Sequence, residues 1–179
     1  MWCVLQCRQG EEEKLIEACK KNLSAKSLRD AFVFTCERMR RYEGAWHTER
    51  KFLFPGYVFL ETQEIEVLQE EFREKLDFCE EFGRLLDDSD MLFRVSPEEE
   101  AFLQELCGED HHMGMSVGFI REGTTHVEQG PLQGMERRIR KIDRHKRIAW
   151  VEMPGGDLEQ GEHGTLRRMT AGLEIVRKD

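Results

Sequence analysis

The residues best equipped for chemistry lie in two runs of opposite character. Arg137-Arg138-Ile139-Arg140-Lys141-Ile142-Asp143-Arg144-His145-Lys146-Arg147 is the densest positive stretch of the chain, and its guanidinium, ammonium and imidazole groups are donors suited to phosphate oxygens. Ile139 and Ile142 break strict alternation, so a bulge or twist is expected there. Arg144-His145-Lys146-Arg147 falls where a turn joins two strands, which throws its charges outward; a merely solvated basic turn is the competing reading. The apolar counterpart is Phe52-Leu53-Phe54-Pro55-Gly56-Tyr57-Val58-Phe59-Leu60. Pro55 removes a ladder donor, Gly56 permits a bend, and beyond them Tyr57, Phe59 and Glu61 alternate with Val58, Leu60 and Thr62 on opposite strand faces. A strand apolar on both sides is buried between two layers or keeps one face for a partner. Tyr57 and Phe59 share a face, so both are core or both face outward.

A third group, Arg38, Arg40, Arg41, Arg50 and Lys51, flanks a predicted hairpin in an otherwise acidic region. Such a concentration suggests a nucleic-acid backbone nearby, although charged hairpins are commonly just solvated. Asp110-His111-His112 invites thoughts of a metal, but adjacent side chains point apart and no third and fourth ligand is evident, so no metal is expected. No nucleophile with a paired base, no phosphate-cradling glycine loop and no zinc spacing occurs. Nothing in the sequence supports catalysis or a bound cofactor.

The elements that must position these groups can be read from periodicity. Met1 to Gln6 reads as a strand. Glu11, Glu12 and Glu13 then open a helix, where the macrodipole favours carboxylates, and Leu15, Ile16, Cys19 and Leu23 share one face of it. Residues 31–42 alternate as a single strand, leading to a hairpin tip at Tyr42-Glu43-Gly44-Ala45-Trp46. Ile65, Leu68, Phe72 and Leu76 mark a second helix, and Leu92, Phe93 and Val95 a further strand. Ser96-Pro97-Glu98-Glu99 is a helix start, with Ser96 as cap, proline at the first helical position and Glu99 closing a capping box; that helix runs to Cys107 and stops at Gly108. The implied architecture is α+β, an antiparallel sheet with flanking helices. Residues 108–116 read as an interdomain linker. Five short strands in residues 117–179 fit a small all-β SH3-like barrel, and the glycine-rich stretch 154–164 is expected to be a mobile loop within it.

Composition bounds the rest. Of 179 residues, 39% are apolar and 35% charged, enough for one good core or two small ones, and two domains are expected. No apolar run approaches the roughly 18 residues of a membrane span and no secretory leader opens the chain, so a cytoplasmic monomer without membrane contact is expected. Six cysteines at 3, 7, 19, 36, 79 and 107 lack a Cys-x-x-Cys pair and read as reduced core thiols. The net charge of −9 divides into −11 over residues 1–117 and +2 over 118–179. Any binding to phosphate must therefore be local.

Three motifs in order carry a family resemblance: Met1-Trp2-Cys3-Val4-Leu5-Gln6 with its leading tryptophan, Phe54-Pro55-Gly56-Tyr57 entering a central strand, and Gly130-Pro131 opening a small sheet. In these the chain resembles the NusG family of transcription elongation factors. The resemblance implies a NusG-type N-terminal domain over 1–107, the linker 108–116, and a KOW barrel over 117–179. It implies that Phe54, Pro55, Tyr57 and Phe59 face the clamp helices of RNA polymerase, and that Arg38, Arg40, Arg41, Arg50 and Lys51 lie near upstream DNA. The basic C-terminal run is similar to the specialised LoaP-type antitermination branch, which implies that Arg138, Arg140, Lys141, Arg144, His145, Lys146 and Arg147 meet a hairpin in the nascent leader RNA. The function so implied is transcription elongation and processive antitermination. The alternative is a housekeeping factor whose KOW domain binds a ribosomal protein or termination factor.

Overall fold

The computed structural model describes residues 1–86, 92–154 and 168–179. In chain order the elements are β1 (Trp2–Gln6), α1 (Glu12–Asn22), β2 (Asp30–Phe32), β3 (Thr35–Tyr42), β4 (Ala45–Phe52), β5 (Tyr57–Glu61), α2 (Ile65–Phe78), α3 (Glu80–Leu85), β6 (Phe93–Arg94) and α4 (Pro97–Cys107). There follow β7 (His112–Met113), β8 (Ser116–Arg121), β9 (Thr124–Gln129), a 3-10 turn Glu136–Arg138, β10 (Ile139–Asp143), β11 (Ile148–Glu152) and β12 (Arg168–Lys178). They gather into two compact units: Met1–Val33 with Phe54–Glu100, and Phe34–Leu53 with Ala101–Asp179. The hairpin β3–β4, expected within the N-terminal domain, thus gathers with the C-terminal strands.

The first unit is built on an antiparallel sheet ordered β2-β5-β1-β6. Alternation sends Cys3, Leu5, Val58, Leu60 and Ala31 to one face, where they pack with Leu15, Ala18 and Cys19 of α1, Leu68 and Phe72 of α2, and Phe82 of α3. The opposite alternation sends Trp2, Phe32 and Phe59 to the other face. Trp2 packs edge-on against Phe32 with centroids 5.4 Å apart, Phe32 stacks on Phe59 at 5.8 Å, and Phe54 adds a tilted contact to Phe59 at 5.8 Å. The capping box expected at Ser96 is formed: Glu99 N–H donates to Ser96 Oγ at 3.2 Å, and Ser96 N–H to a Glu99 carboxylate oxygen at 2.9 Å.

The second unit contains a five-stranded sheet ordered β10-β11-β12-β8-β9 and a three-stranded sheet ordered β4-β3-β7. β12 is one strand of eleven residues. It pairs antiparallel with β11 through residues 168–172 and parallel with β8 from Leu173 onward, so a single strand serves two neighbours. The expected irregularity after Ile139 is present as a register shift between Ile139 and Lys141. One other expectation is corrected. Residues 31–42 are not one strand: the chain breaks after Phe32, and β2 and β3 join different sheets. Within 108–116, β7 pairs parallel with Thr35 and Cys36, and Thr35 N–H donates to His111 O at 2.9 Å. The glycine-rich loop lies, from residue 155 on, outside the described residues.

All six cysteines are thiols, and five are buried. Burial raises the thiol pKa of Cys3 to about 11 and those of Cys19 and Cys107 to about 12, and shifts Cys36 in the same direction. Since the thiolate is the reactive form, iodoacetamide at pH 8 is expected to label half-buried Cys79 in the native chain and the other five only after unfolding in urea. Peptide mass spectrometry reads this directly, and rapid native labelling of Cys19 or Cys107 would contradict the packing.

Candidate functional site

Two arrangements can be built up from their residues, one in each unit. In the first, Phe54-Pro55-Gly56-Tyr57 closes as a β-turn, with Tyr57 N–H donating to Phe54 O at 3.2 Å and Gly56 at φ +82°. Proline at the second position and a positive-φ glycine at the third give the type II pattern. Two contacts fix the turn. Cys7 N–H donates to Gly56 O at 2.8 Å, and Gly56 N–H donates to Glu12 Oε1 at 2.7 Å. The other oxygen of Glu12 accepts from Gly10 N–H at 2.7 Å. Glu12 is only 1% exposed, so this carboxylate at the start of α1 is a buried clasp between two glycine amides. Pro55 projects into solvent and Tyr57 is half-buried, whereas Phe54 and Phe59 are buried in the aromatic cluster. The outward surface of this run is therefore Pro55 and Tyr57, and Tyr57 and Phe59 do not share one environment as alternation alone suggested.

In the second unit the hairpin β3–β4 is regular over its length, from Thr35 opposite Phe52 to Tyr42 opposite Ala45, and turns at Glu43-Gly44. Arg38 points inward and donates through Nη2 to the backbone oxygen and Oγ1 of Thr170 on β12. Burial lowers the Arg38 pKa from its usual value, with the neighbouring Cys36 acting in the opposite sense. Trp46, at the tip of β4, lies under the Arg147 guanidinium at 4.0 Å, a cation–π contact. Arg147 also pairs with Glu174 of β12 at 2.8 Å. Arg147 thus ties the β10–β11 turn to the hairpin and to β12 together. Arg50 donates through Nε to His112 Nδ1 at 3.2 Å, and Thr35 Oγ1 lies 2.8 Å from the same nitrogen.

The β10–β11 turn spans Arg144 to Arg147. Asp143 Oδ1 accepts from Lys146 N–H at 2.9 Å, and this bond, followed by one from His145 N–H and the charges of Lys146 and His145, holds the Asp143 carboxyl below its ordinary value. Arg144, His145 and Lys146 are exposed, and their side chains have no ion-pair partner among the described residues.

The predicted cations therefore divide. Arg144, His145 and Lys146 are exposed on the turn, and His145 and Lys146 line an open groove of about 460 Å³ with Arg41 and with Arg40, which also pairs with Glu49 at 3.4 Å; Arg38, Trp46 and Thr170 line it as well. Elsewhere, Arg138 lies over Phe102 at 5.0 Å, Lys141 over Trp150 at 5.0 Å, and Arg140 pairs with Glu152. Lys51 pairs with Glu49 at 3.1 Å, while Arg38, Arg50 and Arg147 are engaged in internal contacts. His111 packs edge-on against Phe34, and among the described residues no cluster of three His, Cys, Asp or Glu groups could hold a metal. Sequence reasoning missed Glu12, Trp46 and Thr170. Only Trp46, an aromatic at the tip of a charged hairpin, carried a local signal.

A model of the protein family described as Transcription termination factor nusG matches residues 1–103. No curated protein matches the chain.

Proposed function

This chain belongs to the NusG family, whose model covers more than half of it, and from that premise we propose that it is a processive antitermination factor of the specialised LoaP type. Members of the family are transcription elongation factors that bind RNA polymerase and are not enzymes. In the proposed division, residues 1–107 form the polymerase-binding domain and residues 117–179 a KOW barrel, joined through 108–116, in a cytoplasmic monomer. Among the described residues no helix is long and apolar enough to cross a membrane.

On this reading Pro55 and Tyr57 touch the polymerase clamp, with Phe54 and Phe59 shaping the surface from below. A factor that prefers the clamp-closed state shifts the polymerase toward elongation by its difference in affinity for the two states. The C-terminal strands recognise a folded leader RNA through phosphates and shape, as cations on a projecting turn can do. The observation that carries the RNA reading is the turn at Arg144, His145 and Lys146, exposed, held in shape by Asp143 and without neutralising partners among the described residues. The groove at Trp150, lined by Arg140, Lys141, Val151 and Glu152, favours the housekeeping alternative, in which a protein partner docks on these strands.

The test is selection of binders to the full chain from a pool of randomised RNA hairpins, followed by titration of R144E/K146E. Hairpins are expected to be enriched, the double variant to lose about tenfold or more in affinity with a shallower salt dependence, and polymerase pull-down to be unchanged. A pool that yields no binder removes the RNA role and leaves the housekeeping reading.

A further inference from the structure

The hairpin cations and the turn cations were separate features of the sequence, a hundred residues apart, and pointed to two different nucleic acids. In the fold they line one surface. Arg40 and Arg41 on β3 and His145 and Lys146 on the β10–β11 turn border the same open groove, which Trp46, Ile148 and Thr170 also line. The two segments are fastened to each other, by the Arg147 guanidinium over Trp46 at 4.0 Å and by Arg38 donating to Thr170. All of these residues belong to one compact unit.

We infer that Arg40, Arg41, His145 and Lys146, with Arg144 next to them in the turn, form a single composite phosphate-binding groove that takes one folded RNA stem across the hairpin and the turn. This rests on the RNA reading of the turn and extends it to residues assigned above to upstream DNA. Three observations favour a compact RNA stem. Three carboxylates of this unit are already engaged: Asp143 by the Lys146 amide, Glu49 by Lys51 as well as by Arg40, and Glu174 by Arg147. The ring faces that would stack single-stranded bases are partly taken, because Tyr42 stacks on His47 at 3.7 Å and Arg147 covers Trp46. The chain as a whole carries −9, so a long DNA rod running past the patch meets repulsion that a short stem-loop avoids.

The experiment compares R40Q/R41Q with R144E/K146E in the full chain, using the fluorescein-labelled hairpin recovered by the selection above. R40Q/R41Q is expected to weaken binding about tenfold and to reduce the slope of log affinity against log salt, by about 0.7 to 0.9 for each RNA phosphate that is no longer neutralised. Both residues are exposed, and R41Q alone, which disturbs no ion pair among the described residues, repeats the test without risk to Glu49. Wild-type affinity in R40Q/R41Q alongside weak binding in R144E/K146E overturns the composite groove and leaves the RNA reading standing. Wild-type affinity in R144E/K146E overturns both. Equal competition by a DNA duplex of the same stem sequence overturns RNA as the occupant.

Discussion

Replacing Glu12 by glutamine is expected to destabilise the chain by about 2 to 4 kcal/mol, although the side chain keeps its size. The carboxylate accepts two backbone amides, from Gly10 and Gly56, each at 2.7 Å, while almost wholly buried. A hydrogen bond to a charged group contributes about 1.5 to 3 kcal/mol, and a buried donor left without a partner costs a similar amount. Glutamine retains one acceptor oxygen and turns an NH2 group toward the other amide, so one bond becomes a donor facing a donor. The negative charge at the first turn of α1 is lost as well. Glu13→Gln, one position along and exposed, removes the same charge without touching either glycine and serves as the control. Urea titration followed by the fluorescence of the tryptophans reads both. If the Glu12 and Glu13 variants unfold at the same urea concentration, the clasp contributes nothing. On the proposed function, the Glu12 variant also binds polymerase more weakly, because the turn that presents Pro55 and Tyr57 has lost one of its two anchors.

That clasp marks where sequence reading stopped. Features whose causes lie within a few residues were legible: the capping box at Ser96 and Glu99, the hairpin tip at Glu43-Gly44, and the turn carrying Arg144 to Arg147. Glu12 was credited only with a favourable place at a helix start, since its partner Gly56 is 44 residues away and no local pattern announces the pairing. The same holds for Arg38 and Thr170, 132 residues apart, whose bond converts an apparently free cation into a structural tie. The break after Phe32 was hidden because alternation continues through Val33 and Phe34 in either arrangement. Whether a strand stays in one sheet is decided by its neighbours, here β5 for β2 and β7 for β3. The aromatic run was half legible. Two apolar faces on β5 were evident, but which aromatics stay buried depends on Trp2 and Phe32, brought in from other strands.

Gly130→Ala is expected to cost about 3 kcal/mol or more, the second large effect, for a reason that the sequence only hinted at. Gly130 sits at φ +95°, and a Cβ there would lie 2.5 Å from Met115 O and 2.7 Å from Ser116 Cα. Both are backbone atoms, so neither can rotate aside. The left-handed backbone alone costs a side chain about 1 to 2 kcal/mol, and forced displacement in a packed interior typically adds about 1 to 3 kcal/mol. The same Cβ would press within 2.8 Å of Ser116 Oγ, the buried acceptor for Leu132 N–H at 3.1 Å, and Leu132 itself has no exposure. Pushing β8 away from the Gly-Pro turn therefore also loosens a core leucine. Gly134 separates the two contributions: its φ is +82°, but a Cβ would meet nothing within 4 Å. Gly134→Ala is expected to lose only the conformational part, about 1 to 2 kcal/mol, so in thermal melts the Gly130 variant falls well below it. Equal melting temperatures would mean that the turn moves freely away from β8. A lower value for Gly130→Ala assigns this glycine to close approach between the turn and the strand, a demand that the proline beside it cannot meet.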